Sequence, residues 1–138
     1  MFTPRKVKHR KHHRGRIRGN ATQKINLSFG SYGLKSLEPG WISSRQLEAA
    51  RRAITRLLHK GGKVWIRIFP DKAVTIKGSE IRMGGGKGPV DHYVAVVKPG
   101  TMLFELDGIT QELAKEAMNL AAYKLSVKTK FVTKADTQ

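Results

Sequence analysis

Val64-Trp65-Ile66-Arg67-Ile68-Phe69-Pro70 alternates strictly between two sets of side chains. Three branched apolar residues face one way, and Trp65, Arg67 and Phe69 face the other, which is the period of a β-strand. Because both faces carry large apolar groups, each is expected to be partly covered. For Trp65 and Phe69 the pattern predicts core packing rather than stacking on nucleobases.

The segments on either side of this run predict a single α+β domain over residues 25–138, preceded by a basic arm over residues 1–24. Ser43 and Gln46 have capping-box spacing at the start of one predicted helix, and Thr110 is the predicted N-cap of a second. The chain from Gly30 to Gly40 is expected to be irregular. Further short β patterns lie at 25–29, 73–77, 81–83, 93–97, 102–106 and 127–131.

A glycine-rich loop, Arg82-Met83-Gly84-Gly85-Gly86-Lys87-Gly88-Pro89, separates two of these β patterns. It holds four glycines, two cations and no acid. Glycine lets backbone N–H groups approach a phosphate-lined ligand, and an ordinary hairpin needs fewer glycines than this loop has. The residues alone leave two interpretations open, a mobile hairpin tip and a contact for a phosphate-bearing ligand.

Nucleotide-binding motifs are not satisfied at this loop. A Walker-type loop needs Ser or Thr after Gly-Lys, but Lys87 is followed by Gly88, and the strand-like residues 90–97 follow where a dinucleotide fingerprint would open a helix. Asp91-His92 is the only candidate for a catalytic pair in the sequence, and the two residues are more typical of a solvated turn. We therefore expect no enzyme, no cofactor and no small-molecule substrate.

The chain is strongly basic, and its charge is uneven. It carries 27 Lys and Arg against 10 Asp and Glu, a net charge of +17 over 138 residues. Residues 1–37 hold ten bases and no acid, residues 38–98 hold twelve bases and five acids, and residues 99–138 hold five of each. Such an excess favours a polyanionic partner, nucleic acid or an anionic membrane surface, met by the first two thirds of the chain.

The sequence also bears on location and on metal binding. No apolar run approaches the ~18 residues of a membrane span, no secretory signal follows the basic start, and cysteine is absent, so we expect a soluble protein that is not exported. His9, His12 and His13 are not expected to bind a metal, because they have cations rather than carboxylates as neighbours.

Two sets of cations are candidates for phosphate contact. The arm from Thr3 to Asn20 cannot bury itself, so we expect it to stay disordered until a polyanion orders it. The predicted first helix carries several cations on the side opposite its apolar residues and only one acid, Glu48. The strand predicted after it begins with a further cation. The candidate contacts are Arg5, Lys6, Lys8, Arg10, Lys11, Arg14, Arg16, Arg18, Arg45, Arg51, Arg52, Arg56, Lys60 and Lys63.

Several stretches resemble the bacterial and organellar family of large-subunit ribosomal protein sixteen, from about Pro4 to Val132. The most specific are Gly62-Lys63-Val64-Trp65-Ile66-Arg67-Ile68-Phe69-Pro70 and the loop from Arg82 to Gly88, with support from residues 13–16, 38–42 and 94–100. This chain has Tyr93 where the family often has Trp. It also has Gly85 where relatives often have Lys or Ser, which removes a possible cationic contact.

The resemblance implies a hammerhead-type domain, with an antiparallel or mixed sheet and two helices, that binds large-subunit rRNA and supports late subunit assembly. It further implies neighbouring ribosomal proteins and contact with aminoacyl-site tRNA, the peptidyl site being a second candidate. By that similarity the basic arm runs towards the peptidyl transferase region, and Arg82 is a candidate for hydroxylation. The loop close to tRNA would comprise Arg82, Met83, Gly84, Gly85, Gly86, Lys87 and Gly88.

Two other classes of function remain as alternatives. A free basic nucleic-acid-binding protein, not stably part of the ribosome, would share the charge but would not be retained on purified ribosomes at a fixed stoichiometry. An enzyme with the glycine loop as a phosphate cradle is disfavoured. For a ribosomal protein we expect a cytoplasmic location, bacterial rather than organellar, because the basic start is neither amphipathic nor Ser-rich as a presequence would be.

Overall fold

Seven strands and three helices make up the protein in a computed structural model that describes residues 2–58 and 61–137. The strands form two sheets, and every strand pair among the described residues is antiparallel. In chain order the elements are β1 (Tyr32–Ser36), β2 (Gly40–Ser43), α1 (Ser44–Leu58), β3 (Lys63–Ile66), β4 (Lys72–Thr75), β5 (Val90–Val97), β6 (Met102–Asp107), α2 (Gln111–Ala122), β7 (Thr129–Thr133) and α3 (Lys134–Thr137).

The two sheets differ in size and strand order. The larger has the strand order β3-β6-β1-β7, and the smaller has the order β2-β5-β4, so that β4 is an outer strand. This architecture confirms the predicted α+β class. The glycine loop connects β4 to β5 and therefore projects from the smaller sheet.

The main core lies between the two long helices and one face of the larger sheet. Leu34, Phe104 and Leu106 of that sheet are buried together with Ile54 of α1 and Ala117 of α2. The helices begin where the sequence predicts. Because the capping box is reciprocal, it satisfies two backbone donors at the start of α1. The Ser43 N–H donates to Gln46 Oε1 at 2.9 Å, and the Gln46 N–H donates to Ser43 Oγ at 3.1 Å.

The second predicted cap and the last predicted strand are also present. Thr110 is the N-cap of α2, and its hydroxyl oxygen accepts a hydrogen bond from the Leu113 N–H at 3.4 Å. The strand predicted near residue 131 is β7. The chain then adds a short helix, α3, in which the Asp136 carboxylate accepts a hydrogen bond from the Thr133 N–H at 2.9 Å.

The prediction of a strand at residues 25–29 and of irregular chain from Gly30 to Gly40 is wrong. Residues 25–29 form no strand, whereas β1 and the start of β2 occupy the region expected to be irregular. Gly33 lies within β1 because the strand needs a residue without a side chain there. An added Cβ would lie 2.5 Å from Leu27 Cδ2. Glycine at this position therefore leaves room for the Leu27 side chain to pack against the strand, and it does not break the strand.

Three smaller expectations also fail. Residues 81–83 form no strand, since the Ile81 N–H turns back to the Gly78 carbonyl at 3.0 Å. The strand expected to run to Pro70 ends at Ile66. Phe69 was expected in the core but is 47% exposed, because it lies beyond the end of β3. Trp65, within β3, is half-buried.

We expect Gly30→Ala to lower the free energy of unfolding by about 1–3 kcal/mol, as overpacking does. A Cβ on Gly30 would lie 2.4 Å from the Leu106 carbonyl oxygen, and neither piece of backbone can move without disturbing β6. Gly78→Ala is the matched control, since its Cβ would make only an ordinary contact at 3.5 Å with Ile81. Urea denaturation of both variants tests this, and equal stability of the two would contradict it.

Candidate nucleic-acid interface

The basic arm lies along the outer strand of the smaller sheet. Residues 2–31 contain no helix or strand, yet the segment around His12 is held by β4. The Ala73 N–H donates to His12 Nδ1 at 3.1 Å, and the Lys72 ammonium group donates to the Arg14 carbonyl oxygen. The arm therefore covers part of a sheet edge whose backbone groups would otherwise face solvent.

The same part of the arm contacts the glycine loop. Lys11 Nζ donates to the Lys87 carbonyl oxygen at 3.0 Å, and in return Lys87 Nζ donates to the His12 carbonyl oxygen. Lys77 Nζ holds the loop from its other side by donating to the Gly84 carbonyl oxygen at 2.7 Å. Arm and loop, although 76 residues apart in the chain, form one basic surface. We call this the arm–loop surface, residues 11–14, 72–77 and 82–88.

The middle of the loop is open, and its backbone requires glycine. Gly84, Gly85 and Gly86 have φ values of 96°, 75° and 103°, in the left-handed region. An added Cβ at any of the three would meet nothing within 4 Å. Met83 is 94% exposed. The loop therefore presents backbone to the outside, which suits close approach to a large ligand.

Gly88 ends the loop differently from the three preceding glycines. A Cβ there would lie 2.8 Å from the Ile76 carbonyl oxygen, so Gly88 is packed against the chain entering the loop. Arg82 at the other end has an exposed side chain. The loop thus has a packed base and an exposed tip.

A groove of about 280 Å³ runs beside the arm–loop surface, and none of the described residues that line it is a carboxylate. Lys72 Nζ lies 4.8 Å from the centroid of the Trp41 ring, so a cation and an aromatic ring share the floor of the groove. Sequence reasoning missed Lys72 and Lys77. Their only signal was a basic residue on and just after a short β pattern.

The cations of α1 divide into two kinds. Arg51 donates to Glu48 at 2.5 and 3.0 Å, and Arg52 donates to it at 3.2 Å. These contacts, led by the hydrogen bond from Arg51, lower the pKa of Glu48 to about 2. Arg45 and Arg56 are exposed and form no ion pair within the described residues. They are the helix cations whose charge is least neutralised by the protein itself.

The other predicted contacts are spread more widely. Lys63 is exposed at the start of β3, opposite Asp107 in β6. Lys60 lies outside the described residues. Lys11 is half-buried against the loop. The remaining arm cations have exposed side chains: Arg5, Lys6, Lys8, Arg10, Arg14, Arg16 and Arg18.

A buried carboxylate fixes residues 28–30, in the segment that joins the arm to β1. Glu105 is fully buried, and its Oε1 accepts the N–H groups of Ser28, Phe29 and Gly30 at 2.8, 2.9 and 3.1 Å. Its other oxygen accepts from the Arg67 guanidinium. Burial acts to raise the pKa of Glu105, but these hydrogen bonds together outweigh it and lower the pKa below its usual value of 4.5. The neutral last third of the chain thus supplies the anchor of the basic first part, which sequence reasoning did not foresee.

Neither a membrane-spanning helix nor a cluster of metal ligands is present among the described residues. None of their helices is long and apolar enough to cross a membrane. In the same part of the chain, no three His, Asp or Glu side chains gather as metal ligands do. At the surface, His92 Nδ1 and Asp91 Oδ2 are 2.7 Å apart. Among the described residues, neither side chain forms an ion pair with any other residue.

A two-sheet α+β domain with a docked basic arm and an open glycine loop defines a protein of the nucleic-acid-binding class. The family model described as Ribosomal protein L16p/L10e matches residues 4–132. The chain belongs to this family of large-subunit ribosomal proteins. The family is structural, so the chain is a ribosomal component and not an enzyme.

Individual relatives match over nearly the whole chain. Large ribosomal subunit protein uL16c of Thalassiosira pseudonana is 58% identical over 136 residues, 99% of each chain. The uL16c protein of Phaeodactylum tricornutum is 59% identical over 134 residues, 97% of each chain. Large ribosomal subunit protein uL16 of Trichodesmium erythraeum (strain IMS101) is 55% identical over 136 residues, 99% of each chain. Since these relatives are chloroplast and cyanobacterial, they do not decide between a bacterial and an organellar location.

Proposed function

We propose that the chain is a constituent of the large subunit of a bacterial-type ribosome, where it binds large-subunit rRNA and supports late assembly. In this proposal it also contacts neighbouring ribosomal proteins and aminoacyl-site tRNA, with peptidyl-site tRNA as a second contact. The observation that carries the proposal is the arm–loop surface, because it places the basic arm and the exposed glycine loop side by side.

The contacts of the arm–loop surface suit exchange for RNA phosphates. Lys11, Lys72 and Lys87 donate to neutral backbone carbonyls rather than to carboxylates. A phosphate oxygen carries negative charge and a backbone carbonyl oxygen does not, so a phosphate adds Coulomb attraction to the hydrogen bond and competes well for these ammonium groups. Neutralised phosphates then release their counterions, which supplies affinity without regard to base sequence.

The arm and the domain have separate tasks in this proposal, with the boundary after residue 24. Lys24 has a φ of 57°, unusual for a residue with a side chain, and its carbonyl oxygen accepts the Met102 N–H at 2.7 Å. The backbone turns here onto the domain. We infer that residues 1–24 reach into folded rRNA, while residues 25–138 form the body that orients them.

The glycine loop is proposed to face tRNA. Its exposed tip lets backbone approach a bulky nucleic acid that longer side chains would hold away. The exposed side chain of Arg82 can reach a phosphate of the tRNA and is also accessible to a hydroxylating enzyme. The α1 cations are assigned to rRNA, with Arg45 and Arg56 contributing most because they form no ion pair in the described residues.

We expect Arg82→Ala to impair tRNA placement more than rRNA binding, because it removes one exposed cation of the loop and leaves the arm intact. Ribosomes that carry the variant should show about tenfold weaker aminoacyl-site tRNA binding, the amount expected for one charged contact. Lys115→Ala is the matched control, since Lys115 is an exposed cation on α2 far along the chain from the loop. Filter binding of labelled tRNA to purified ribosomes measures the effect. Normal tRNA occupancy and elongation would refute the role of Arg82.

A further inference from the structure

A partly exposed aromatic pair, Phe29 and Trp65, lies outside the arm–loop surface. The rings of Phe29 and Trp65 are stacked, with centroids 6.0 Å apart and an angle of 18° between their planes. The Arg67 guanidinium carbon lies 5.1 Å from the centroid of the Phe29 ring. Phe29 nevertheless remains 56% exposed. A single exposed apolar side chain needs no explanation, but an ordered stack of two rings and a guanidinium is a different feature.

The buried carboxylate of Glu105 fixes the position of this pair. The Phe29 N–H donates to the buried Glu105 carboxylate, which also binds Arg67, so one anion fixes two members of the stack. Trp65 is in β3, directly opposite Glu105 in the antiparallel register. Because these groups are already ordered, a ligand that stacks on them loses little conformational entropy of the protein.

The surroundings of the pair fit a nucleotide. An open groove of about 570 Å³ is lined by both rings, Lys63 and the turn at Gly108. The one carboxylate in this lining, Asp107, already accepts hydrogen bonds from the Ser31 hydroxyl at 3.0 Å and the Gly108 N–H at 2.9 Å. Lys63, opposite Asp107 in the register, has an exposed side chain. A ring surface beside an exposed ammonium group matches a base and its adjacent phosphate.

We propose that Phe29 and Trp65 form a stacking platform for an unpaired nucleobase of RNA, with Lys63 contacting the neighbouring phosphate. The proposal rests on the proposed RNA-binding function and adds to it a contact that senses the base rather than the backbone. The exposed cation Lys63 favours RNA over a protein neighbour as the occupant, since lysine is depleted in protein–protein interfaces. For Trp65 this replaces the prediction of purely core packing.

Binding of single-stranded oligoadenylate and oligouridylate of equal length to the full chain tests the platform. The two probes carry the same charge, but adenine stacks more strongly. The wild-type chain should prefer oligoadenylate. Phe29→Leu should weaken oligoadenylate binding by about 5- to 100-fold and oligouridylate binding less, with the salt dependence unchanged. Phe29→Tyr should retain the preference.

A matched control is available in the chain. Phe69 is similarly exposed, at 47%, but has no ring partner in the described residues, so Phe69→Leu should leave both affinities unchanged. As a second readout, oligoadenylate should quench the fluorescence of Trp65 in a Trp41→Phe background, where Trp65 is the sole tryptophan. Adding Phe29→Leu should reduce that quenching.

The outcomes separate the platform from RNA binding in general. Unchanged oligoadenylate affinity in Phe29→Leu, with normal wild-type binding, overturns the platform, leaves RNA binding intact and assigns the ring pair to a protein neighbour. An equal loss for both probes with a flatter salt dependence also overturns it, because the site would then contact phosphate alone. A wild-type chain that binds neither probe overturns the platform and the proposed function together.

Discussion

Deletion of residues 1–20 is expected to abolish most of the salt-dependent affinity for large-subunit rRNA. This segment carries eight of the Lys and Arg residues and no acid. With six or more phosphate contacts, the intact chain should lose ~10³-fold in affinity between 50 and 200 mM salt. The truncated chain should bind more weakly at 50 mM and lose far less on going to 200 mM, as filter binding at several salt concentrations would measure.

Charge and chain length are separated by a matched variant. Replacing the eight arm cations with glutamine keeps the length of the arm, so it should reproduce the effect of the deletion if phosphate neutralisation is the cause. Each lost phosphate contact should reduce the slope of log affinity against log salt by roughly 0.7–0.9. An unchanged slope in either variant would refute the role of the arm.

Glu105→Ala is expected to lower the free energy of unfolding by about 3–5 kcal/mol, the usual cost of breaking a buried ion pair from one side. The substitution leaves the largely buried Arg67 without its anion and removes the acceptor of three backbone N–H groups, those of residues 28–30 between the arm and β1. Since a domain of this size is stable by only about 5–15 kcal/mol, the variant should be close to unfolding at 37 °C. Urea denaturation at neutral pH measures the loss.

Two controls identify the carboxylate as the cause. Glu116→Ala removes an exposed acid of α2 and should change stability by no more than about 0.5 kcal/mol. Glu105→Gln retains one oxygen acceptor and should lose less than the alanine variant. Full wild-type stability in Glu105→Ala would contradict the assigned anchor.

Acid should destabilise the protein partly through the same residue. The folded-state pKa of Glu105 lies below its usual value of 4.5, so its carboxylate stabilises the fold fully above that pH. This stabilisation is lost as the pH falls through the lowered pKa. Glu105→Gln should therefore flatten the decline of stability below pH 4.5, and an identical pH profile for the two proteins would contradict this.

Local sequence patterns were sufficient to predict the elements that are stabilised by hydrogen bonds between residues close in the chain. The capping box at Ser43 and the N-cap at Thr110 could be predicted because each is a hydrogen bond between residues three apart. The strand at 25–29 could not be rejected from its alternation alone. The strand does not form because the Glu105 carboxylate, some 75 residues away in the chain, accepts hydrogen bonds from N–H groups that would otherwise pair with a neighbouring strand.

The candidate site shows the same division between local and distant information. Composition identified the basic arm, and the glycine count identified the loop. Their contact depends on the reciprocal bonds of Lys11 and Lys87, which no spacing in the sequence indicates. The stacked pair of Phe29 and Trp65 was likewise hidden, because each ring alone was typical of a half-buried strand. Long-range contacts of this kind carry most of what the structure adds.

The most direct test of ribosomal function is sedimentation of cell lysate through a high-salt sucrose gradient, with this chain followed by quantitative mass spectrometry. The proposed function predicts that the chain travels with the large subunit at about one copy per subunit. Although salt weakens each phosphate contact, a chain assembled into folded rRNA is held by many contacts at once and should leave the subunit slowly. A chain that stays at the top of the gradient while the other large-subunit proteins sediment would contradict it. A free nucleic-acid-binding protein would then be the better description.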